Sequence, residues 1–247
     1  MKLKFIFITI FVSAVCVGLV WSMMAINGDS NEICQKVVVD IKPIKGDKYY
    51  LSKHKVDSVL KANKIYAESK KRAEIDLPKI RTTIENNLAV KKAKCYFVKN
   101  GDLRIDVIQR TPLFKVAGNK TYYVEDDKDR TIFQIPSNFD VGVPIVTGYF
   151  ADSVAQKDIF NFVTFLQKNS FFAEKINKIH CKNNFVKFTL KGENFTIVVG
   201  NLKNRHLIYD FEEKLNRFKD FYNKEILDKK KTYSEIDLQF DKQIVCR

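Results

Sequence analysis

Between Phe5 and Ile26 the chain carries no charged residue, and no later stretch is as continuously apolar. As a helix rising about 1.5 Å per residue, this run extends about 33 Å, enough for the hydrocarbon core of a bilayer. The apolar region of a cleaved secretory signal is only about 7 to 15 residues long. The pattern therefore predicts a transmembrane helix over 5–26 behind a short stub, Met1 to Lys4. Lys2 and Lys4 precede the run and Asp29 and Glu32 are the first charges after it, a bias that holds the amino terminus in the cytoplasm and exports the remainder. Ser13-Ala14-Val15-Cys16 makes a poor lipoprotein box, because Val15 is bulky and apolar residues continue past Cys16.

After the polar link Asn27 to Asn31 the period changes. Val37, Val39 and Ile41 alternate with Lys36, Val38 and Asp40, which predicts a half-buried strand. Ser52 is placed to cap a helix whose inner face holds Val56, Val59 and Leu60, with Asn63 as its stop. A second helix begins near Asp76, with Pro78 in its first turn and Ile80, Ile84 and Leu88 as its inner stripe. Asn100-Gly101 then separates Cys95 to Lys99 from Asp102 to Ile108, a two-residue hairpin signal in which both turn residues tolerate positive φ. Leu103, Ile105 and Val107 face the core side of that hairpin. The order by Arg110 is strand, helix, helix, strand, strand.

Beyond Gln109-Arg110-Thr111-Pro112 three short strands are predicted, Phe114 to Ala117, Thr121 to Glu125 and Arg130 to Gln134. Val143 to Gly148 closes that stretch, and a helix follows with Ile159, Phe162, Val163 and Leu166 on one face. Phe185 to Leu190 and Phe195 to Val199 read as a hairpin across Lys191 to Asn194. From Arg205 to Tyr222 an amphipathic helix sets Ile208, Phe211, Leu215, Phe218 and Tyr222 against a sheet, with Lys214, Arg217 and Lys219 on the wet side. Last comes a strand in which Ile236, Leu238 and Phe240 alternate with Glu235, Asp237, Gln239 and Asp241, followed by Gln243, Ile244 and Val245. The fold class is α+β.

Composition adds two constraints. The formal net charge is +14, of which only Lys2 and Lys4 precede the apolar run, so the exported part is basic throughout. Its lysines are scattered, which argues for a solvated surface; weak contact with anionic lipid or an acidic wall polymer is the exported partner such a charge implies, and no nucleic acid is expected. Cys34, Cys95, Cys181 and Cys246 are spread along the chain with neither a disulfide framework nor metal spacing, and are expected to be structural thiols.

Chemistry is absent from the sequence. His54, His180 and His206 lack a ligand partner at a metal-binding interval, no serine stands in a nucleophile elbow, and the nine glycines never cluster as a phosphate loop. Asp126, Asp127 and Asp129 lack the central glycine and terminal glutamate of a calcium loop. No catalytic, cofactor or metal residues are assigned and the protein is expected not to be an enzyme. A binding module that uses sheet edges remains. In Ile236 to Arg247 the backbone groups are either covered within the chain or offered to another protein.

The order of several pieces carries a resemblance. The short basic start and anchor, Lys36 to Ile41, Leu51-Ser52-Lys53, Ile84-Glu85, Asn100-Gly101-Asp102-Leu103, Gln109-Arg110-Thr111-Pro112, Tyr122-Tyr123-Val124, Val143 to Gly148 and Ile236-Asp237-Leu238 with Gln243-Ile244-Val245 together resemble the FtsQ/DivIB family, most like its Bacteroidetes branch. The resemblance implies a POTRA domain over 32–110 and an FtsQ-type mixed β-sheet domain with flanking helices over 111–247. It further implies a single-pass inner-membrane scaffold of the division septum, with its folded part in the periplasm. That scaffold binds FtsB-like and FtsL-like proteins and helps regulate septal peptidoglycan synthesis. The partner strand carries over to Glu235, Ile236, Asp237, Leu238, Gln239, Phe240, Gln243, Ile244 and Val245, while Arg110 and Pro112 correspond to the junction between domains. The competing reading is an envelope-anchored wall-binding or wall-active protein.

Overall fold

The computed structural model describes residues 31–247 apart from 119–120, 137–138, 204 and 229–230. The apolar run Phe5 to Ile26 lies outside the described residues, and among those described no helix is long and apolar enough to cross a membrane. The chain forms two compact units, the first ending at Gln109 and the second running Arg110–Arg247.

The first unit is built from β1 (Val37–Lys42), α1 (Lys53–Ala62), α2 (Leu77–Glu85), β2 (Val90–Phe97) and β3 (Leu103–Gln109). Its sheet order is β1-β3-β2, with β1 parallel and β2 antiparallel to the central β3. Ser52 Oγ accepts the Lys55 amide at 3.2 Å and Asp76 Oδ1 accepts the Lys79 amide at 2.9 Å, so each helix starts on a side-chain cap. Val56 and Leu60 of α1 and Ile80 and Ile84 of α2 are buried, as are Leu103, Ile105 and Val107 of β3. Leu88 departs from its predicted stripe: α2 stops at Glu85, so Leu88 leaves the helical face and is 59% exposed.

The hairpin also differs from its signature. Val98 donates to the Asp102 carbonyl and Gly101 to that of Val98, both at 3.0 Å, so three residues form the loop and only Gly101, at φ 88°, is left-handed. This is a turn closed by a glycine bulge, in which Asn100 holds the loop through side-chain bonds to Asp102. At the far end of β3, the Gln109 Oε1 accepts the amides of Tyr50 and Leu51 at 3.0 and 2.9 Å, and Nε2 donates to the Lys42 carbonyl at 2.8 Å. One buried amide thereby ties the end of β1 and the segment before α1 to β3.

The second unit is a nine-stranded mixed sheet. Its strands are β4 (Pro112–Val116), β5 (Tyr122–Glu125), β6 (Ile132–Phe133), β7 (Ile145–Tyr149), β8 (Ile176–Lys182), β9 (Phe185–Leu190), β10 (Thr196–Asn201), β11 (Glu235–Asp237) and β12 (Val245–Cys246). Their order is β12-β11-β10-β9-β8-β7-β4-β5-β6, with β4–β7, β7–β8 and β10–β11 parallel and the rest antiparallel. The helices are α3 (Asp152–Val154), α4 (Phe160–Lys168), α5 (Ser170–Ala173) and α6 (Arg205–Phe221); π-helical turns at Ala155–Ile159 and Tyr222–Leu227 precede α4 and follow α6.

Helix side chains Phe162, Val163, Leu166, Phe172, Phe211, Leu215 and Phe218 form one core with Val146, Ile179, Val186, Phe188, Ile197 and Ile236 of the strands. Edge-to-face pairs such as Phe162 with Phe211, 5.4 Å between centroids, key α4 to α6. Phe211, Leu215 and Phe218 of α6 are thus spent on the unit's own core, as their spacing predicts. Arg110 pairs with the buried Glu125 and its Nη1 donates to Thr131 Oγ1 at 3.2 Å, which fastens the start of β4 to β5 and the segment before β6.

Two features were not anticipated. β8 is central to the sheet, yet it falls in a stretch for which no strand is predicted. A register shift between Ile176 and Lys178 breaks its alternation, leaving only Ile179 and Cys181 in phase. Lys214, predicted to face water, is 7% exposed and donates from Nζ to the Gln239 carbonyl at 3.1 Å. Its stem lies along α6 beside the core while its charge finds a backbone acceptor.

Candidate partner-binding edge

Residues Glu235 to Arg247 form a short hairpin laid on β10, not one continuous strand. β11 pairs parallel with β10 through Thr196–Glu235, Ile197–Ile236 and Val198–Asp237, and β12 returns antiparallel through Ile236–Cys246 and Asp237–Val245. The strand ends at Asp237 because its carboxylate turns back on the chain. Oδ1 accepts the Gln239 amide at 2.9 Å, and Gln239 Nε2 donates to both carboxylate oxygens at 3.0 and 3.1 Å. Leu238 donates to the Val198 carbonyl at 3.0 Å, Lys214 holds the Gln239 carbonyl, and Lys242 turns the chain at φ 52°.

The predicted partner residues therefore occupy different environments. Ile236, Asp237 and Leu238 are buried, and β11, which holds the first two, has a neighbour on each side, so its ladder groups are used within the unit. Glu235 is partly buried and pairs with Arg247. Gln239 and Gln243 are exposed, Phe240 is 42% exposed, and Ile244 and Val245 are half-buried. Among the described residues β12 is the end member of the sheet and β6 the other.

Hydrogen-bond parity shows which groups remain on that side. Arg247 donates to the Glu235 carbonyl at 3.0 Å and Glu235 to the Arg247 carbonyl at 3.2 Å, a hydrogen-bonded pair. In an antiparallel ladder the next residues, Ile236 and Cys246, form a non-bonded pair whose amides and carbonyls point away from each other. The Cys246 backbone, and by alternation that of Ile244, faces outward from β11. The sequence assigns the partner strand to Glu235 to Phe240 together with Gln243, Ile244 and Val245, a set that includes Ile244 but not Cys246. The parity that assigns this role to Ile244 and Cys246 exists only once β12 has paired, and Cys246 has no distinguishing signal of its own.

Cys34, Cys95, Cys181 and Cys246 are free thiols. Burial pushes all four up, Cys95 to about 11, so they stay protonated and weakly nucleophilic at neutral pH. Among the described residues no three His, Cys, Asp or Glu side chains gather as a metal site.

The β-α-α-β-β unit with a parallel outer strand, followed by a mixed sheet that ends, among the described residues, on β12, defines a POTRA-like domain joined to a mixed-sheet domain. Family models agree: a POTRA-like domain matches residues 32–108, and the model described as FtsQ/DivIB, C-terminal related, matches residues 111–247. The chain belongs to the FtsQ/DivIB family, a family of non-enzymatic cell-division scaffolds. No curated protein matched the chain.

Proposed function

We propose that this protein is a divisome scaffold, anchored in the inner membrane by Phe5 to Ile26, whose periplasmic mixed sheet captures a strand from an FtsB-like partner and, through it, an FtsL-like one. The observation that carries the reading is the outward-facing backbone of Cys246 at the end of the sheet. An extended segment added there makes main-chain bonds without disturbing the ladder behind it. Exposed Phe240 and half-buried Ile244 and Val245 supply apolar side chains beside it, with Gln243 between them. Glu235, Ile236, Asp237, Leu238 and Gln239 act one layer back, holding β12 in register. The two-residue length of β12 keeps the edge from pairing indiscriminately, since a short strand offers few free groups.

Replacing Cys246 by proline tests this directly. The lost amide points to the free side, so the β11–β12 ladder keeps its bonds while strand addition loses a donor. Copurification of an FtsB-like protein with the full chain from membranes should fall at least tenfold, with the thermal midpoint nearly unchanged. Phe240→Glu, at an exposed position, should weaken capture in the same direction. Partner recovery at full yield from both variants would end the reading.

A further inference from the structure

The helices cover one face of the nine-stranded sheet, and the opposite face is open over β7, β8 and β9. Strand register puts its side chains in rows. Thr147, His180 and Lys187 lie across the three strands, Tyr149, Lys182 and Phe185 form the next row, and Ile145, Lys178 and Thr189 the row on the other side, with Lys115 of β4 beside Ile145. Rows are about 6.7 Å apart and neighbours within a row about 4.8 Å. Lys178, His180, Lys182, Phe185 and Lys187 are exposed, and Tyr149 is 82% exposed.

Over β4, β7, β8 and β9 this face carries only basic charge, and Asp237, held by Gln239, lies at its margin. β4, β7, β8 and β9 contain no Asp or Glu, and Lys178, Lys182 and Lys187 form no ion pair among the described residues. At the margins the same face closes: Tyr123 and Phe133 are buried beyond β4, and Val198 and Asp237 beyond β9. A bounded basic platform remains, flanked on one row by two aromatic rings on either side of Lys182.

We infer that this platform binds an extended anionic saccharide, a carboxylate-bearing glycan whose ring faces stack on Tyr149 and Phe185 while its anions meet Lys182, Lys187 and Lys178. An open array of exposed side chains spread over three strands suits a polymer over a small ligand. A protein partner fits poorly, because lysine is depleted at the centre of protein interfaces, where its flexible stem and strongly hydrated head are costly to order. An anionic lipid surface reads charge alone and leaves the aromatic–cation–aromatic row without a purpose. The surface is distinct from the β12 edge, so the division-scaffold reading stands or falls separately.

The test uses the full chain in phosphatidylcholine nanodiscs and four probes: polygalacturonate, polyglutamate, neutral dextran and phosphatidylglycerol vesicles. Polygalacturonate should bind at low salt and release as the Debye length shrinks from about 10 Å at 0.1 M towards about 3 Å at 1 M. Dextran should not bind. Lys182→Gln with Lys187→Gln should weaken polygalacturonate at least tenfold. Tyr149→Ala with Phe185→Ala should weaken it severalfold and leave polyglutamate unaffected, all at unchanged thermal midpoint and unchanged partner copurification. Absence of polygalacturonate binding, indifference to the aromatic pair, or tighter binding of polyglutamate or of the vesicles would overturn the inference.

Discussion

The Lys214 ammonium, carried on α6, donates to the Gln239 carbonyl at 3.1 Å across the loop that joins β11 to β12. A charge buried at this depth is tolerated because it finds a backbone acceptor, and the bond in turn fixes where the chain leaves β11. The last helix and the candidate partner edge are therefore mechanically linked through one side chain.

Lys214→Met keeps the apolar stem and removes the donor, leaving the Gln239 carbonyl without it. A bond to a charged group contributes about 1.5–3 kcal/mol, so the urea midpoint should drop accordingly with an unchanged slope. The Arg247 amide, which bonds Glu235, should exchange with solvent faster than in the wild type.

Gly148 cannot accept a side chain. At φ 122°, an added Cβ would lie 1.9 Å from the Cys181 carbonyl oxygen, a backbone atom of the paired strand β8. Gly148→Ala should therefore destabilise the mixed-sheet unit by more than about 3 kcal/mol, measured by chemical denaturation. Gly118→Ala, where nothing lies within 4 Å of the added carbon, should be close to neutral.

Arg110 and Glu125 form an ion pair at the start of the second unit, with the carboxylate buried. Arg110→Ala strands that charge and should cost about 3 kcal/mol, whereas Arg110→Met combined with Glu125→Leu should recover most of it. A double-mutant cycle built from Arg110→Met, Glu125→Leu and the double variant reads the difference, and a double-variant loss equal to the sum of the two single losses would show that the pair is not coupled.

The Tyr222 hydroxyl donates to Glu193, and burial followed by that carboxylate pushes it up from 10.0 to about 12. The folded state thus holds the proton more tightly than the unfolded chain. The resulting stability is complete below pH 10 and declines as pH rises through about 12. Tyr222→Phe should lower stability at pH 8 yet flatten its fall between pH 10 and 12, as followed by thermal melts.

The particular successes and failures of the sequence reading have a common cause. Ser52, Asp76 and Pro78 act on amides within one turn, so both helices of the first unit begin where their residues say they should. Asn100-Gly101 marks a hairpin correctly but not its loop length, because Val98 and Asp102 decide which pair closes it. β8 escaped notice through one extra residue in its ladder, and Lys214 through a carbonyl that lies 25 residues further along the chain.

For the partner edge the division is sharper. Alternation from Glu235 to Phe240 and the run Gln243 to Val245 are properties of the chain itself, because side chains on a strand repeat every second residue whatever surrounds them. Which of those residues is buried between neighbours and which faces outward is a property of pairing. Asp237 bends the chain back, β10 takes up Ile236, and only then does Cys246 acquire a free side. Periodicity is local and survives in a sequence; sheet order and hydrogen-bond parity depend on contacts between distant segments, and the folded chain alone decides them.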